Sequence, residues 1–241
     1  LNAPAPIKVA LLFECKTDPR CGLTGLAAAL TRQVNEHLGP AWGLPPVEVY
    51  PSARPVAGHW VLALLDDADQ ADALGYHDVT SDGLPVGKVF VAPTLADGQK
   101  VPVTASHELI EMLIDPACNL AAQADDGRFY AFEVADAVQD NSYAIDGVPV
   151  SDFVYPAWFE SFRAPGSTRF SHLGTVDRPF ELAPGGYISI FRSGAWTQIF
   201  GDEAAMARFS LAKKRRAARR ATRPQPPAGP PARPPTPEPT P

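Results

Sequence analysis

Val101-Pro-Val-Thr-Ala-Ser-His107-Glu108-Leu-Ile-Glu111-Met-Leu-Ile-Asp115-Pro116 is the stretch on which the reading of this chain turns. At about 100° per residue, with His107 at zero, Glu111 falls near 40°, Thr104 near 60°, Asp115 near 80° and Glu108 near 100°. Leu109, Ile110, Met112, Leu113 and Ile114 take the rest of the circle. One narrow arc therefore holds every ionisable group. A broad apolar stripe faces the other way, wide enough to bury the helix in a core. Thr104 is a candidate cap, and Glu108 lies near enough to the start to favour the N-terminal dipole. Asp115-Pro116 ends the helix, because proline disfavours helical backbone in the residue before it.

The arc carries three carboxylates and one imidazole, without Lys or Arg. Glu108 and Glu111 are three apart, Glu111 and Asp115 four apart, and like charges at those spacings destabilise a helix by roughly 0.2–0.5 kcal/mol each. Burial makes the repulsion worse. Water, protons or a cation must offset it. A metal ion is the simplest single answer, since His at i and a carboxylate at i+4 reach the same point. A plain solvated acidic face is the alternative.

Upstream, Ile7–Phe13 reads as a buried strand, and Leu23–Leu38 as a helix with Leu26, Leu30, Val34 and Leu38 on one face. Thr24 is its expected cap and Gly39-Pro40 its stop. Val47–Tyr50 and His59–Leu65 read as further strands. Leu74–Gly87 is full of turn signals, Lys88–Ala92 reads as a strand and Pro93–Lys100 as a loop. The order implies a mixed sheet backed by a helix, in the α+β class.

Downstream, Phe129–Val138 is ambiguous between strand and short helix. Ser142–Val150 reads as a hairpin with an Asp146-Gly147 turn, and Tyr187–Phe200 as a second hairpin. The aromatic-rich Val150–Phe159 is expected to pack on the core. His37, His59, His77 and His172 are assigned structural or solvent roles, and Tyr130, Tyr143 and Tyr155 remain open as oxyanion donors.

The net charge of −6 hides a division: from Lys213 onward there are eight Lys/Arg and one Asp/Glu, leaving 13 basic and 26 acidic residues before it. Residues 1–212 are expected to form the globular domain. Residues 213–241 are expected to form a basic, then Pro-rich, disordered tail, able to meet anionic partners or fold back on the acidic body. The acidic body argues against nucleic-acid binding. No run approaches the roughly 18 apolar residues of a membrane span, and the start lacks the pattern of a secretory signal. Cys15, Cys21 and Cys118 are expected as free thiols rather than a disulfide framework.

His107-Glu108-Leu-Ile-Glu111 resembles the HExxH helix of zincin metallopeptidases, with Glu in place of the second His. The strand–helix–strand order before it is similar to the N-terminal half of that fold. A Ser-His-Glu-x-x-Glu-x-x-x-Asp-Pro helix, and Val150-Ser-Asp-Phe-Val-x-Pro-Ala-Trp-Phe159 after it, are also similar to segments of uncharacterised bacterial and phage-associated proteins. The likeness covers roughly residues 1–200. It implies a zincin-like mixed twisted sheet with a backing helix, a central active-site helix and a mostly loop and β C-terminal part. It implies zinc held by His107 and Glu111, with Glu108 activating water for hydrolysis of a peptide or protein substrate. The third ligand must come from a later segment, and Glu133 is the choice. Asp136 or Asp115 would hold His107 by its second ring nitrogen. One nitrogen and two oxygens shift preference toward manganese or calcium. An inactive zincin-like binding or phage-associated structural module is the alternative.

Overall fold

Uninterrupted apolar runs make the middle of a sheet. The computed structural model describes residues 4–69 and 73–212; the expected basic and Pro-rich tail lies outside the described residues. The elements are β1 (Ile7–Phe13), α1 (Leu23–Arg32), α2 (Gly39–Trp42), β2 (Val47–Ser52), β3 (Trp60–Leu65), β4 (Gly75–Val79) and β5 (Pro85–Phe90). They continue with α3 (Val91–Ala96), α4 (Val101–Ile114), β6 (Ala121–Gln123), β7 (Phe129–Ala131), β8 (Ser142–Ile145) and β9 (Val148–Ser151). The last are β10 (Tyr187–Arg192), β11 (Ala195–Phe200) and α5 (Glu203–Ala212). The α+β class is as expected.

The principal sheet has the order β2-β1-β3-β5-β4, parallel except for the antiparallel edge strand β4. Alternation divides its faces. Val9, Leu11, Leu62 and Leu64 point into the main core with α1 and α4, while Ala10, Leu12 and Ala63 form a small cluster on the other face. A second, antiparallel sheet, β11-β10-β7-β6, and the β8–β9 hairpin complete the fold. Both expected hairpins form. Asp146 and Gly147, then Ser193 and Gly194, take positive φ at their two-residue turns, as the right-handed strand twist requires. Phe153, Val154, Trp158 and Phe159 are buried, so the aromatic segment packs as expected.

Several local expectations are corrected. Gly22, not Thr24, precedes α1, and Lys100, not Thr104, precedes α4, whose first turn holds Pro102. Proline is at home there because the first helical N–H groups have no intrahelical partner anyway. Gly39-Pro40 does not stop the first helix. The chain widens into a π-helical stretch, Gln33–Leu38, and runs on through α2 to a left-handed Gly43. The wide turn aims Val34 O at the Gly39 N–H, and a Cβ on residue 39 would stand 2.8 Å from that oxygen. Residues 91–96, read as strand end and loop, form α3.

The turn-rich segment 74–87 is the largest change. It is a hairpin: Gly83, at φ +77°, donates to Thr80 O, and Thr80 donates to Leu84 O. Gly75 and His77 lie on one face of β4, and Gly87 stands opposite His77 on β5. That face looks onto α4, since a Cβ on Gly75 would touch Glu108 and one on Gly87 would approach Glu108 and Met112.

Twelve of the fourteen residues of α4 are buried, so the acidic arc is not solvated. The sheet covers one side of the helix and β9 another. Ser106 Oγ ties the helix to β9, accepting the Ser151 N–H and donating to Val103 O. Among the described residues no helix is long and apolar enough to cross a membrane.

Candidate metal centre

Four segments aim polar side chains at one buried region. α4 contributes His107, Glu108 and Glu111. The edge strand contributes His77. The chain between β7 and the 3-10 turn Asp136–Val138 contributes Glu133, and the turn itself Asp136. His77, His107, Glu108, Glu111 and Asp136 are all buried.

The geometry has two halves that meet at Glu111. His107 Nε2 is 3.3 Å from Glu111 Oε1 and 3.4 Å from Asp136 Oδ1. His77 Nδ1 is 3.8 Å from Glu111 Oε2 and 3.9 Å from Glu108 Oε2, while its Nε2 is 3.9 Å from Glu133 Oε2. In each of the triads His107/Glu111/Asp136 and His77/Glu108/Glu111 the candidate ligand atoms lie within 4.8 Å of one another. Glu111 is held in place by the backbone, because its Oε1 also accepts the Ala135 N–H at 3.2 Å.

Burial and charge compete here. Burial pushes the Glu111 carboxyl up; His107 opposes this and Asp136 and Glu133 reinforce it. For His107 burial disfavours the charged ring, yet Glu111, Asp136 and Glu108 hold its pKa well above the usual value. His77 behaves alike, with burial outweighed by Glu133, Cys118 and Glu108. Crowded, dry carboxylates draw positive charge, as protons or as a divalent cation. The residues can hold a metal ion.

The arrangement is not quite the expected one: Glu133 stands beside His77, and Asp136 joins His107 and Glu111 in a triad that could hold a metal ion. Asp136 does not brace the second ring nitrogen of His107 but meets the same Nε2 as Glu111, which is how a shared ligand shell looks. Asp115 serves neither purpose. Its oxygens accept the Asn119 and Leu120 N–H groups, which fixes the loop after the helix.

His77 is the member the sequence reading passed over. Its signal is period-two alternation through Gly75, His77 and Val79 beside a strand with Gly87 opposite. The other histidines lie elsewhere. His172, far from isolated, stacks on His37 at 4.6 Å and bonds Tyr155, while His37 bonds Tyr143. Tyr130 packs on Phe180 and Trp158. The three tyrosines considered as oxyanion donors are thus engaged away from the site.

His107 and Glu108 reach an open pocket of about 30 Å³, lined also by Gln99, Thr104, Gln139 and Tyr187. Among the described residues neither Lys nor Arg lines it. Gln139 Oε1 is buried without a hydrogen-bond partner among the described residues. Comparison with protein-family models, with curated proteins and with solved structures gives no match in any of the three.

Proposed function

We propose that this protein is a metal-dependent hydrolase acting on peptide-like amide bonds, a zincin-like variant with a His-Glu-Asp ligand set. His107, Glu111 and Asp136 would hold a zinc ion, and Glu108 would be the general base. The observation that carries the reading is the pair of carboxylate oxygens 3.3 and 3.4 Å from His107 Nε2, where His107 and Glu108 also line a small pocket. Tetrahedral ligands bound at 2.0–2.1 Å are separated from one another by about 3.3–3.4 Å, and each oxygen stands at that spacing from the ring nitrogen.

A bound ion supplies Lewis acidity toward a substrate carbonyl. The chain's own groups do the rest. The pocket exceeds the roughly 10–15 Å³ that one water needs. Glu108, lining it, takes the proton of that water as it attacks and returns it to the leaving amine. Two carboxylate ligands temper the ion's acidity and favour harder ions such as manganese or calcium beside zinc.

The small pocket favours a second reading, in which the ion only braces an inactive binding module. Elemental analysis with a peptide-library hydrolysis assay separates the two. Hydrolysis that disappears in Glu108→Gln, with the metal retained, supports the enzyme. Metal without hydrolysis supports the inactive module. A metal-free protein whose melting ignores zinc, manganese, calcium and chelators removes both.

A further inference from the structure

We infer that the centre is dinuclear: a second divalent cation sits between His77, Glu108 and Glu111, bridged through the Glu111 carboxylate to the ion at His107 and Asp136. The inference rests on the proposed metal site and extends it.

The two oxygens of Glu111 face different imidazoles. Oε1 is 3.3 Å from His107 Nε2 and Oε2 is 3.8 Å from His77 Nδ1. A carboxylate splayed between two nitrogen donors in this way is the bridging ligand of two-metal sites, where the ions stand about 3.5–4 Å apart. Each half brings its own terminal ligands. Asp136 belongs to the His107 side and Glu108 to the His77 side, and both triads satisfy ligand spacing independently. Glu133 Oε2 stands 3.9 Å from the other nitrogen of His77, on the far side of the ring from Glu108 and Glu111.

The crowding agrees with this: Glu108, Glu111, Glu133 and Asp136 bring four carboxyl groups around two imidazoles, and positive charge, as protons or divalent ions, must offset them.

The longer separations around His77, 3.8–3.9 Å against 3.3–3.4 Å around His107, describe a roomier second position. Bonds of about 2.3–2.6 Å with oxygen-rich coordination suit it, as for calcium, or manganese with added waters. Glu108 meets this ion through Oε2. Its Oε1 lies beside Gly75, and both residues line the pocket.

The test uses the full chain, stripped with chelator and titrated with Mn²⁺ alone, read by bound metal per chain and by electron paramagnetic resonance. Two ions per chain are expected, with an isolated six-line signal at one equivalent that broadens into an exchange-coupled signal at two. His77→Gln should bind one ion and keep the isolated signal, and Asp136→Asn should also lose one ion. Thermal melts confirm that each variant is folded. One ion per chain in the unaltered protein, kept in His77→Gln and lost in Asp136→Asn, overturns the second site and leaves the first standing. One ion per chain in the unaltered protein, lost in both variants, overturns the second site in favour of a single shared position. No binding at all removes the metal reading itself.

Discussion

Gly75→Ala and Gly87→Ala, made separately, test the contact between the edge hairpin and the central helix. Neither glycine has positive φ, so alanine would be tolerated by the backbone and would stabilise by about 0.4–1 kcal/mol through the unfolded chain. The surroundings differ. A Cβ at position 75 would lie 2.7 Å from Glu108 Oε1, 2.8 Å from its Cγ and 2.8 Å from Lys88 O. Comfortable contacts between carbon atoms begin near 3.5 Å, and the Lys88 carbonyl is backbone of the paired strand, unable to rotate away. Overpacking of this kind costs about 1–3 kcal/mol, for a net loss of about 1–2 kcal/mol. At position 87 the one close atom is Leu62 Cδ1 at 2.8 Å, the free end of a flexible side chain, with Glu108 and Met112 at 3.8 Å. Gly87→Ala should therefore stay within about 1 kcal/mol of the parent. Urea titrations of both variants decide it, with Gly75→Ala melting roughly 2–8 °C lower. A Gly75→Ala protein as stable as Gly87→Ala would refute the placement of Glu108 beneath β4.

Ser106→Ala strands the buried Ser151 N–H, so unfolding free energy should fall by about 1–3 kcal/mol in denaturant titration; an unchanged midpoint would count against the α4–β9 tie. Divalent cation at a hundredfold excess over its dissociation constant adds about 2.7 kcal/mol, a rise in melting temperature of roughly 5–11 °C by calorimetry. Burial pushes the Asp152 carboxyl up to about 6, against the pull of the Phe153, Leu173 and Thr175 donors. The folded state then holds more protons than the unfolded one between about pH 4 and 6, so this residue makes stability fall as pH rises through that window, by about 3 kcal/mol. Asp152→Asn should flatten that slope in stability measurements across pH, and an identical slope would show that the carboxylate is content when charged.

What the sequence made legible is what depends on neighbours in the chain. The strands Ile7–Phe13 and Trp60–Leu65, the helix with the His-Glu pair and both hairpins are written in local periodicity and turn chemistry. His77 was hidden because Gly75, Ser81, Asp82, Gly83 and Gly87 read together as turns. Only Gly83 is used for its conformation; Gly75 and Gly87 are small because a helix lies against them. The choice between Glu133 and Asp136 depends on how a 3-10 turn points its first residue, which three positions of sequence cannot decide. The Gly39-Pro40 stop failed because a widened helical turn absorbs the proline, a rearrangement fixed by packing rather than composition. That twelve of the fourteen residues of α4 are buried follows in part from β9, 34 residues further on, folding across it.

The convergence of β4, α4 and the 133–136 segment has a kinetic corollary. Donors drawn from positions 77, 107–111 and 133–136 meet only when the edge hairpin and the later layer have both closed on the helix. An ion held there would tie the edge hairpin and the later layer together across the helix. Backbone amide exchange in β4 should then slow when divalent cation is added and quicken again in chelator.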